Sequence, residues 1–255
     1  MENQVAQQTT TEPKFKFPTE TVELPSKGLV YPETSTLSSG FVEMKYMTAK
    51  EEDILTNQNY IKQGIVLDKL LKALIVSDSN YDDLIVGDKN AVLIAARILG
   101  YGKDYSFTHN GEEVTVDLTE LDTKYLDESN VNKGFNEFEF TLPHTNTPIT
   151  YKLLTNRDEK KIEQEIKGLK KINKTSSPEL STRLKYMITS VNGSYEPKDI
   201  RDFVDNYMLA RDSRAFREHI KDTQPDIVMT FTNDVDQETT IPMTAGFFWP
   251  DLWLS

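Results

Sequence analysis

The residue types that most often carry catalysis or bind metals are scarce in this chain. It contains no cysteine and three histidines, His109, His144 and His219. The spacing of the histidines matches no zinc-ligand pattern, and no Ser-His-Asp or Cys-His signature of a nucleophilic enzyme is present. We therefore predict a protein that is not an enzyme, with no catalytic residue, no metal site and no cofactor. The histidines are interpreted as ordinary structural or surface residues.

Two local patterns resemble ligand-binding loops but lack essential parts. The segment from Gly100 to Asp104 is rich in glycine, yet it follows a predicted helix instead of joining a strand to a helix. No helix N-terminus would therefore face a bound phosphate. The acidic run from Asn233 to Glu238 resembles part of a calcium loop without the central glycine of that loop. We interpret both segments as turns.

Charge offers one candidate site of another kind. The chain of 255 residues has 41 acidic and 29 basic side chains and a net charge of −12, so its surface as a whole repels nucleic acids and anionic membranes. No apolar run approaches the roughly 20 residues of a membrane span. The one basic island is a predicted helix over 157–173, whose region contains six lysines: Lys160, Lys161, Lys167, Lys170, Lys171 and Lys174.

The basic island has three interpretations. A solvated helix face is the ordinary one, and a docking surface for an acidic partner is the second. The third gives the alternative function for the chain, a nucleic-acid-binding accessory protein that uses Lys160–Lys174.

The candidate partner-binding residues are aromatic and lie near the two ends of the chain: Phe15, Phe17, Phe247, Phe248, Trp249 and Trp253. The first two belong to a run of alternating lysine and phenylalanine, which is typical of a strand with one apolar face. This run can add to the sheet edge of a partner or pack back on its own domain. The four C-terminal aromatics either fold onto the core as a plug or form an exposed patch for a partner.

The elements that must position any such site are organised around residues 47–101. Thr48 followed by Glu51 forms a capping-box pattern, which predicts a helix start. Leucines at positions 67, 70, 71 and 74 recur at the spacing of one helix face, so an amphipathic helix is expected next.

A third helix in this region is predicted to be the centre of the core. We expect Asp88 to cap a helix over Lys89–Leu99, which ends at Gly100. Because this helix is apolar on nearly all sides, it should be buried, with the other elements packed around it. Arg97 lies within it and is expected to pair with an acidic residue.

Shorter elements flank this block. Before it, we predict a turn at Leu24–Gly28 and short strands at Val30–Pro32 and Phe41–Met44. After it, Asn110-Gly111 between alternating segments predicts a β-hairpin. In the second half, we expect a hairpin of Phe135–Phe140 with Ile149–Leu154 and a last hairpin over 227–243. Three helices are expected between them: one with an apolar face from Leu180 to Val191, one begun by Pro197, and one over Ser213–Lys221 capped by Asp212.

Together these elements predict a mixed α+β protein with two mostly helical lobes, each associated with short β-hairpins. Residues 1–18 are predicted to be a flexible arm, because their Gln, Thr and Pro residues bury too little apolar surface to offset the entropy of ordering. Residues 19–134 are assigned to an N-terminal lobe. Residues 135–255 are assigned to a C-terminal lobe that includes the aromatic tail.

Five segments of the chain are similar to one family. They are LPSKGLVYP from Leu24, MTAKEEDILTN with YIKQGIVLDKLL from Met47, GDKNAVLIAARILGYG from Gly87, the pair Pro225-Asp226, and IPMTAGFFWP from Ile241. The family is that of the T-even-type baseplate hub and hub-assembly proteins of contractile-tailed bacteriophages. The similarity covers most of residues 24–250.

This resemblance implies a non-enzymatic phage protein that acts in assembly of the baseplate hub in the host cytoplasm. The implied partners are baseplate hub, central spike and tape-measure proteins. The resemblance does not decide between a part of the finished tail baseplate and a chaperone that is released, and the oligomeric state is left open. Some members of the family carry cysteine pairs in the hairpins after the two helical blocks; this chain has no thiol there, so zinc binding is not implied. A hydrolase with an unrecognised site is a third hypothesis, which requires a polar cleft with shifted pKa values.

Overall fold

The computed structural model describes residues 18–172, 178–232, 238–243 and 245–249. Over these ranges the protein is mixed α+β, which confirms the predicted fold class. The α-helices are α1 (Ala49–Leu55), α2 (Gln58–Gln63), α3 (Val66–Leu74), α4 (Val86–Tyr101), α5 (Asn156–Ile172), α6 (Glu179–Met187), α7 (Pro197–Asp202) and α8 (Ala210–Thr223). No helix within the described ranges has the length and apolar character to cross a membrane. The predicted arm, apart from Pro18, lies outside these ranges.

The strands are short and all of their pairings are antiparallel. They are β1 (Thr19–Glu23), β2 (Phe41–Lys45), β3 (Asp104–His109), β4 (Glu112–Asp117), β5 (Thr123–Lys124), β6 (Phe138–Thr141), β7 (Pro148–Tyr151), β8 (Ile188–Val191), β9 (Asp226–Ile227), β10 (Thr230–Thr232) and β11 (Glu238–Thr240). Three pairs, β1–β2, β3–β4 and β10–β11, are formed by strands that follow one another in the chain. A fourth pair joins β5 to β9, and the largest sheet has the order β6-β7-β8.

Two of the predicted elements are wrong. Val30–Pro32 forms no strand, and the strand that pairs with β2 is β1, with Val22 opposite Val42. The helix that was expected to continue to Val191 ends at Met187, and the next four residues form β8. β-branched residues such as Ile188 and Val191 favour strands, and here both side chains are buried beside β7.

The central helix α4 is buried, as its composition predicted. Its residues from Ala91 to Ile94 are at most 6% exposed. The helix is longer than expected at both ends, because it begins at Val86 and its C-cap is Gly102, which has a φ of 83°. Gly100 therefore lies inside the helix.

Asp88 is not the N-cap of this helix. It lies in the first turn of α4, is fully buried, and holds the Leu24–Tyr31 segment against the helix. Its carboxylate accepts hydrogen bonds from the Ser26 N–H (2.9 Å), the Ser26 hydroxyl (2.6 Å) and the Tyr31 hydroxyl (2.5 Å). The turn predicted in this segment is confirmed, and Gly28 has the positive φ of 76° that such a turn requires.

Three clusters of buried side chains make up the core. The first surrounds α4 and takes in α1, α3, β2 and β3, the second joins β6, β7 and β8 to α6, α7 and α8, and a small third one lies under α5. Ile241, Phe247 and Phe248 belong to the first cluster. The end of the described chain thus packs with the N-terminal half, which differs from the predicted boundary that placed it in a C-terminal lobe.

The return of the chain to α4 depends on a close approach of two backbones. A Cβ atom on Gly87 would lie 1.9 Å from the Pro225 carbonyl oxygen. Next to this contact, the Asn90 side-chain amide donates to the Asp226 carboxylate at 2.8 Å. The absence of a side chain at position 87 therefore allows β9 to pass over the start of the central helix.

We expect Gly87→Ala to destabilise the protein by about 1–3 kcal/mol, because the new methyl group would overlap a backbone oxygen that cannot rotate away. Gly168→Ala is the matched control: it also lies in a helix, but no atom lies within 4 Å of its Cβ position. That variant should gain roughly 0.5–1 kcal/mol from helix propensity. Urea unfolding followed by circular dichroism measures both changes, and an equal effect of the two substitutions would contradict the close approach.

The pH dependence of stability should reveal the buried carboxylate. Burial raises the pKa of Asp88 to about 6, although its hydrogen bonds to Ser26 and Tyr31 oppose the shift. The native state then binds the proton more tightly than the unfolded chain, whose Asp pKa is about 4. Between pH ~4 and ~6 the contribution of Asp88 to stability should fall by roughly 1 kcal/mol per pH unit as pH rises, and stay constant above that range.

The Asp88→Asn variant isolates this term, because the amide does not titrate. The free energy of unfolding of the wild-type protein minus that of the variant should decline from pH ~4 to ~6 and then level off. A difference that is flat over this interval would show that the carboxyl group titrates as in water.

Candidate protein-interaction site

The structure describes three of the six candidate partner-binding aromatics. Phe247 and Phe248 are each 2% exposed, and the Phe247 ring packs edge-on against Tyr105 at 4.9 Å between centroids. The Trp249 indole N–H donates to the Leu55 carbonyl at 3.1 Å. Of the two alternatives for the tail, residues 247–249 follow the one in which it folds onto the core. Phe15, Phe17 and Trp253 lie outside the described residues.

Arg97 shows how this aromatic end is fixed. The side chain is 3% exposed, and its two terminal nitrogens donate to the carbonyls of Gly102 (2.7 Å) and Asp104 (3.0 Å). The guanidinium also lies 6.0 Å from the centroids of both Tyr105 and Phe247. Arg97 was expected to pair with an acidic side chain, and its terminal nitrogens instead bind backbone carbonyls. These carbonyls belong to Gly102, the C-cap of α4, and to Asp104, the first residue of β3.

Three lysines of the basic helix α5 are in ion pairs within the chain. Lys160 makes ion pairs with both Asp68 and Asp82, at 2.9 and 2.6 Å. Lys167 and Lys170 lie 3.4 and 3.0 Å from glutamate oxygens. The helix also carries four acidic residues among its 17, so the positive potential that a phosphate backbone would meet is reduced.

The histidines are dispersed. The ring of His109 packs against Phe231, the backbone N–H of His144 donates to Asp212, and His219 lies in the second core cluster region next to β6 and β7. Within the described ranges, no group of three or more His, Asp or Glu side chains could hold a metal ion. The acidic run at Asn233–Glu238 is outside these ranges, except for Glu238.

A groove beside the three-stranded sheet is the strongest candidate for an interaction site. It has a volume of about 900 Å³ and lies between the connecting segment over 125–132, the strands β6 and β7, and the C-terminal end of α8. Six aromatic rings line it, and we call it the aromatic groove: Tyr125, Phe135, Phe138, Tyr151, Tyr195 and His219.

The floor of the aromatic groove is formed by rings that contact one another. Phe138 stacks on Tyr151 with the ring centroids 5.3 Å apart, and the Tyr151 hydroxyl is hydrogen-bonded to Nε2 of His219 at 2.8 Å. Burial lowers the pKa of His219 below its usual range, which favours the uncharged ring at neutral pH. The rim is exposed instead: Phe135 and Tyr195 show 63% and 60% of their surface to solvent.

The charged side chains that line the aromatic groove are all acidic. Four exposed carboxylates line it: Asp127, Glu137, Glu139 and Asp222. Among the residues that the structure describes, no lysine or arginine lines the groove, and Glu139 and Asp222 form no ion pair with any of them. Lys27, next to the groove, already lies over the Tyr125 ring at 5.1 Å. The site therefore suits a ligand that carries positive charges between apolar groups.

The groove also reaches an open strand edge. In the order β6-β7-β8, β6 is an outer strand, and three successive residues, Glu137, Phe138 and Glu139, line the groove. No described residue hydrogen-bonds to the outward main-chain groups of β6. Such an edge can accept another strand.

The sequence indicated part of this site. The alternation over Phe135–Phe140 predicted a strand with one buried face. The strand is confirmed over Phe138–Thr141, where the face of Phe138 and Phe140 is half-buried. Sequence reasoning missed the groove itself, because Tyr125, Tyr195 and Asp222 come from three distant segments.

No family model, curated protein or solved structure matches this chain.

The floor and the rim of the groove should respond differently to truncation. Tyr195→Ala removes an exposed ring and should change the free energy of unfolding by no more than about 0.5 kcal/mol. Tyr151→Ala removes a buried ring that contacts Phe138, Phe216 and His219, and should cost about 3–5 kcal/mol. Denaturant unfolding measures both; a large loss in the Tyr195 variant would mean that this ring belongs to the core.

Proposed function

We propose that this chain is a non-enzymatic protein of a contractile-tailed bacteriophage that acts in assembly or structure of the tail baseplate hub. Its partners are baseplate hub, central spike and tape-measure proteins. It acts in the host cytoplasm during assembly. The proposal starts from the five sequence segments that resemble the T-even-type hub and hub-assembly family.

The observation that carries the proposal is that these five segments meet in space. LPSKGLVYP binds the central helix through the hydrogen bonds of Ser26 and Tyr31 to Asp88. The pair Pro225-Asp226 lies against the same helix at Gly87 and Asn90.

The remaining two segments join the same unit. IPMTAGFFWP closes on the first block, where Trp249 donates to the Leu55 carbonyl, and its Pro242 carbonyl accepts from the Tyr105 hydroxyl at 2.7 Å. Chance similarities have no reason to lie in contact, whereas residues that maintain a common fold do. The packing therefore supports the view that the five segments resemble the family as parts of one structural unit, and not as five unrelated short matches.

The surface supports a protein-binding function. The chain has a net charge of −12, and the aromatic groove is lined by both aromatic rings and carboxylates. Exposed rings such as Phe135 and Tyr195 are favourable at protein interfaces, because they bury a large area at little cost in conformational entropy. The nucleic-acid alternative gains no such support, since Lys160, Lys167 and Lys170 are in ion pairs within the chain.

Co-expression with each hub, spike and tape-measure protein encoded by the same phage genome tests the proposal. We expect at least one partner to co-purify and to remain bound through size-exclusion chromatography at moderate salt. The Gly87→Ala and Gly168→Ala variants provide the control, because both keep the charge of the chain and only the first disturbs the packed unit. Binding should be weakened in the first variant and retained in the second.

Purification of every candidate partner separately from this chain, even at low salt, would contradict the proposal. Mass spectrometry of purified virions then separates its two forms. A few copies per particle would mark a component of the finished hub, and absence from virions with abundant protein in infected cells would mark a released assembly factor.

A further inference from the structure

We propose that the aromatic groove binds residues 14–17 of a second copy of this chain, as a strand added to the edge of β6. This inference does not depend on the phage assignment. It follows from the open edge, from the side chains that β6 presents, and from the sequence of the chain before Pro18.

The two segments are complementary residue by residue. β6 and the residue before it read Glu137-Phe138-Glu139-Phe140, and the arm reads Lys14-Phe15-Lys16-Phe17. Alternate residues of a strand lie on the same face. In one antiparallel register beside β6, Phe15 lies opposite Phe138 on one face. The other face then has Lys16 opposite Glu137 and Lys14 opposite Glu139. Aromatic pairs and pairs of opposite charge are both favourable across strands.

The surroundings of β6 favour the same occupant. Phe138 and Phe140 are half-buried and stack on Tyr151 and His219, so an added phenylalanine would extend an existing row of rings. Glu139 has no ion-pair partner among the described residues. Lys27 over the ring of Tyr125 is an example, within this chain, of a lysine bound at the rim of the groove.

The length of the chain favours a second copy as the donor. Glu23 at the end of β1 contacts the groove, because its carboxylate accepts from the Tyr125 hydroxyl at 3.3 Å. Pro18 precedes the other end of β1, five residues away, which is about 16 Å along a strand. The four residues before Pro18 span at most about 14 Å when fully extended. The reach of these four residues within their own molecule is therefore short, whereas the groove of a second copy can approach them without that limit.

A charge-reversal experiment on the full chain tests the proposal. The arm variant carries Lys14→Glu and Lys16→Glu, and the groove variant carries Glu137→Lys and Glu139→Lys. Sedimentation velocity at low ionic strength should show self-association of the wild-type protein. The self-association affinity of each variant alone should be at least about tenfold lower than that of the wild type, because like charges would face each other.

Mixing separates the second-copy arrangement from docking within one molecule. An equimolar mixture of the arm variant and the groove variant should associate again, since each arm then meets a groove of opposite charge. The chain with all four reversals should also regain self-association. A wild-type protein that stays monomeric, or a mixture that stays dissociated, would overturn the proposal.

A matched control excludes a general effect of charge. Glu112→Lys with Glu113→Lys makes the same reversal on β4, where both side chains are exposed, and should leave association unchanged. Thermal melts of all variants should match the wild type, because Glu137 and Glu139 are exposed. Equal loss of association in the β4 variant would also overturn the proposal.

Discussion

The hydrogen bonds of the Asp88 carboxylate are the interaction on which the rest of the fold depends. Burying a carboxylate fully costs free energy, and burial raises the pKa of Asp88 to about 6 even though its hydrogen bonds lower it. Three donors from Ser26 and Tyr31 offset that cost. The Tyr31 hydroxyl in turn accepts the Ile85 N–H at 3.0 Å, which satisfies a donor at the start of α4. The Asp88 side chain thus fixes the Leu24–Tyr31 segment against the start of α4.

The same arrangement recurs at two other long helices. Asp158 in the first turn of α5 accepts from the Lys152 ammonium at 2.8 Å, and Asp212 in the first turn of α8 accepts from the His144 N–H at 2.8 Å. Both are buried. The positive end of a helix dipole favours a negative charge at this place. Each of these aspartates therefore stabilises its own helix and also fixes an earlier part of the chain against it.

These contacts explain why the groove has a defined shape. Its floor belongs to the second core cluster, and one wall is the segment over 125–132, which follows the first cluster. The Leu126 N–H donates to the Pro25 carbonyl at 3.0 Å, and β5 pairs with β9. These contacts fix the segment over 125–132 relative to the rest of the fold. An interaction site formed between such supports keeps its rings and carboxylates in place before a partner arrives, which lowers the entropic cost of binding.

The sequence alone determined the features whose causes are local. The helix start at Thr48 and Glu51, the leucine face of α3, the turn at Asn110-Gly111 and the helix begun by Pro197 are all found where they were predicted. Each depends on residues no more than about seven positions apart, so the pattern and its physical cause lie in the same stretch of sequence.

Only the tertiary structure decided the role of residues whose partners are distant. Asp88 and Asp212 carry the local signal of an N-cap, yet they bind groups 62 and 68 residues away. Ile188–Val191 follows a helical pattern, and the open edge of β7 makes it a strand. The groove joins rings from separate segments, and the aromatic end packs against helices near the start of the chain. Local sequence cannot specify such contacts, because the free energy that selects them comes from burial and pairing that exist only once the whole chain has folded.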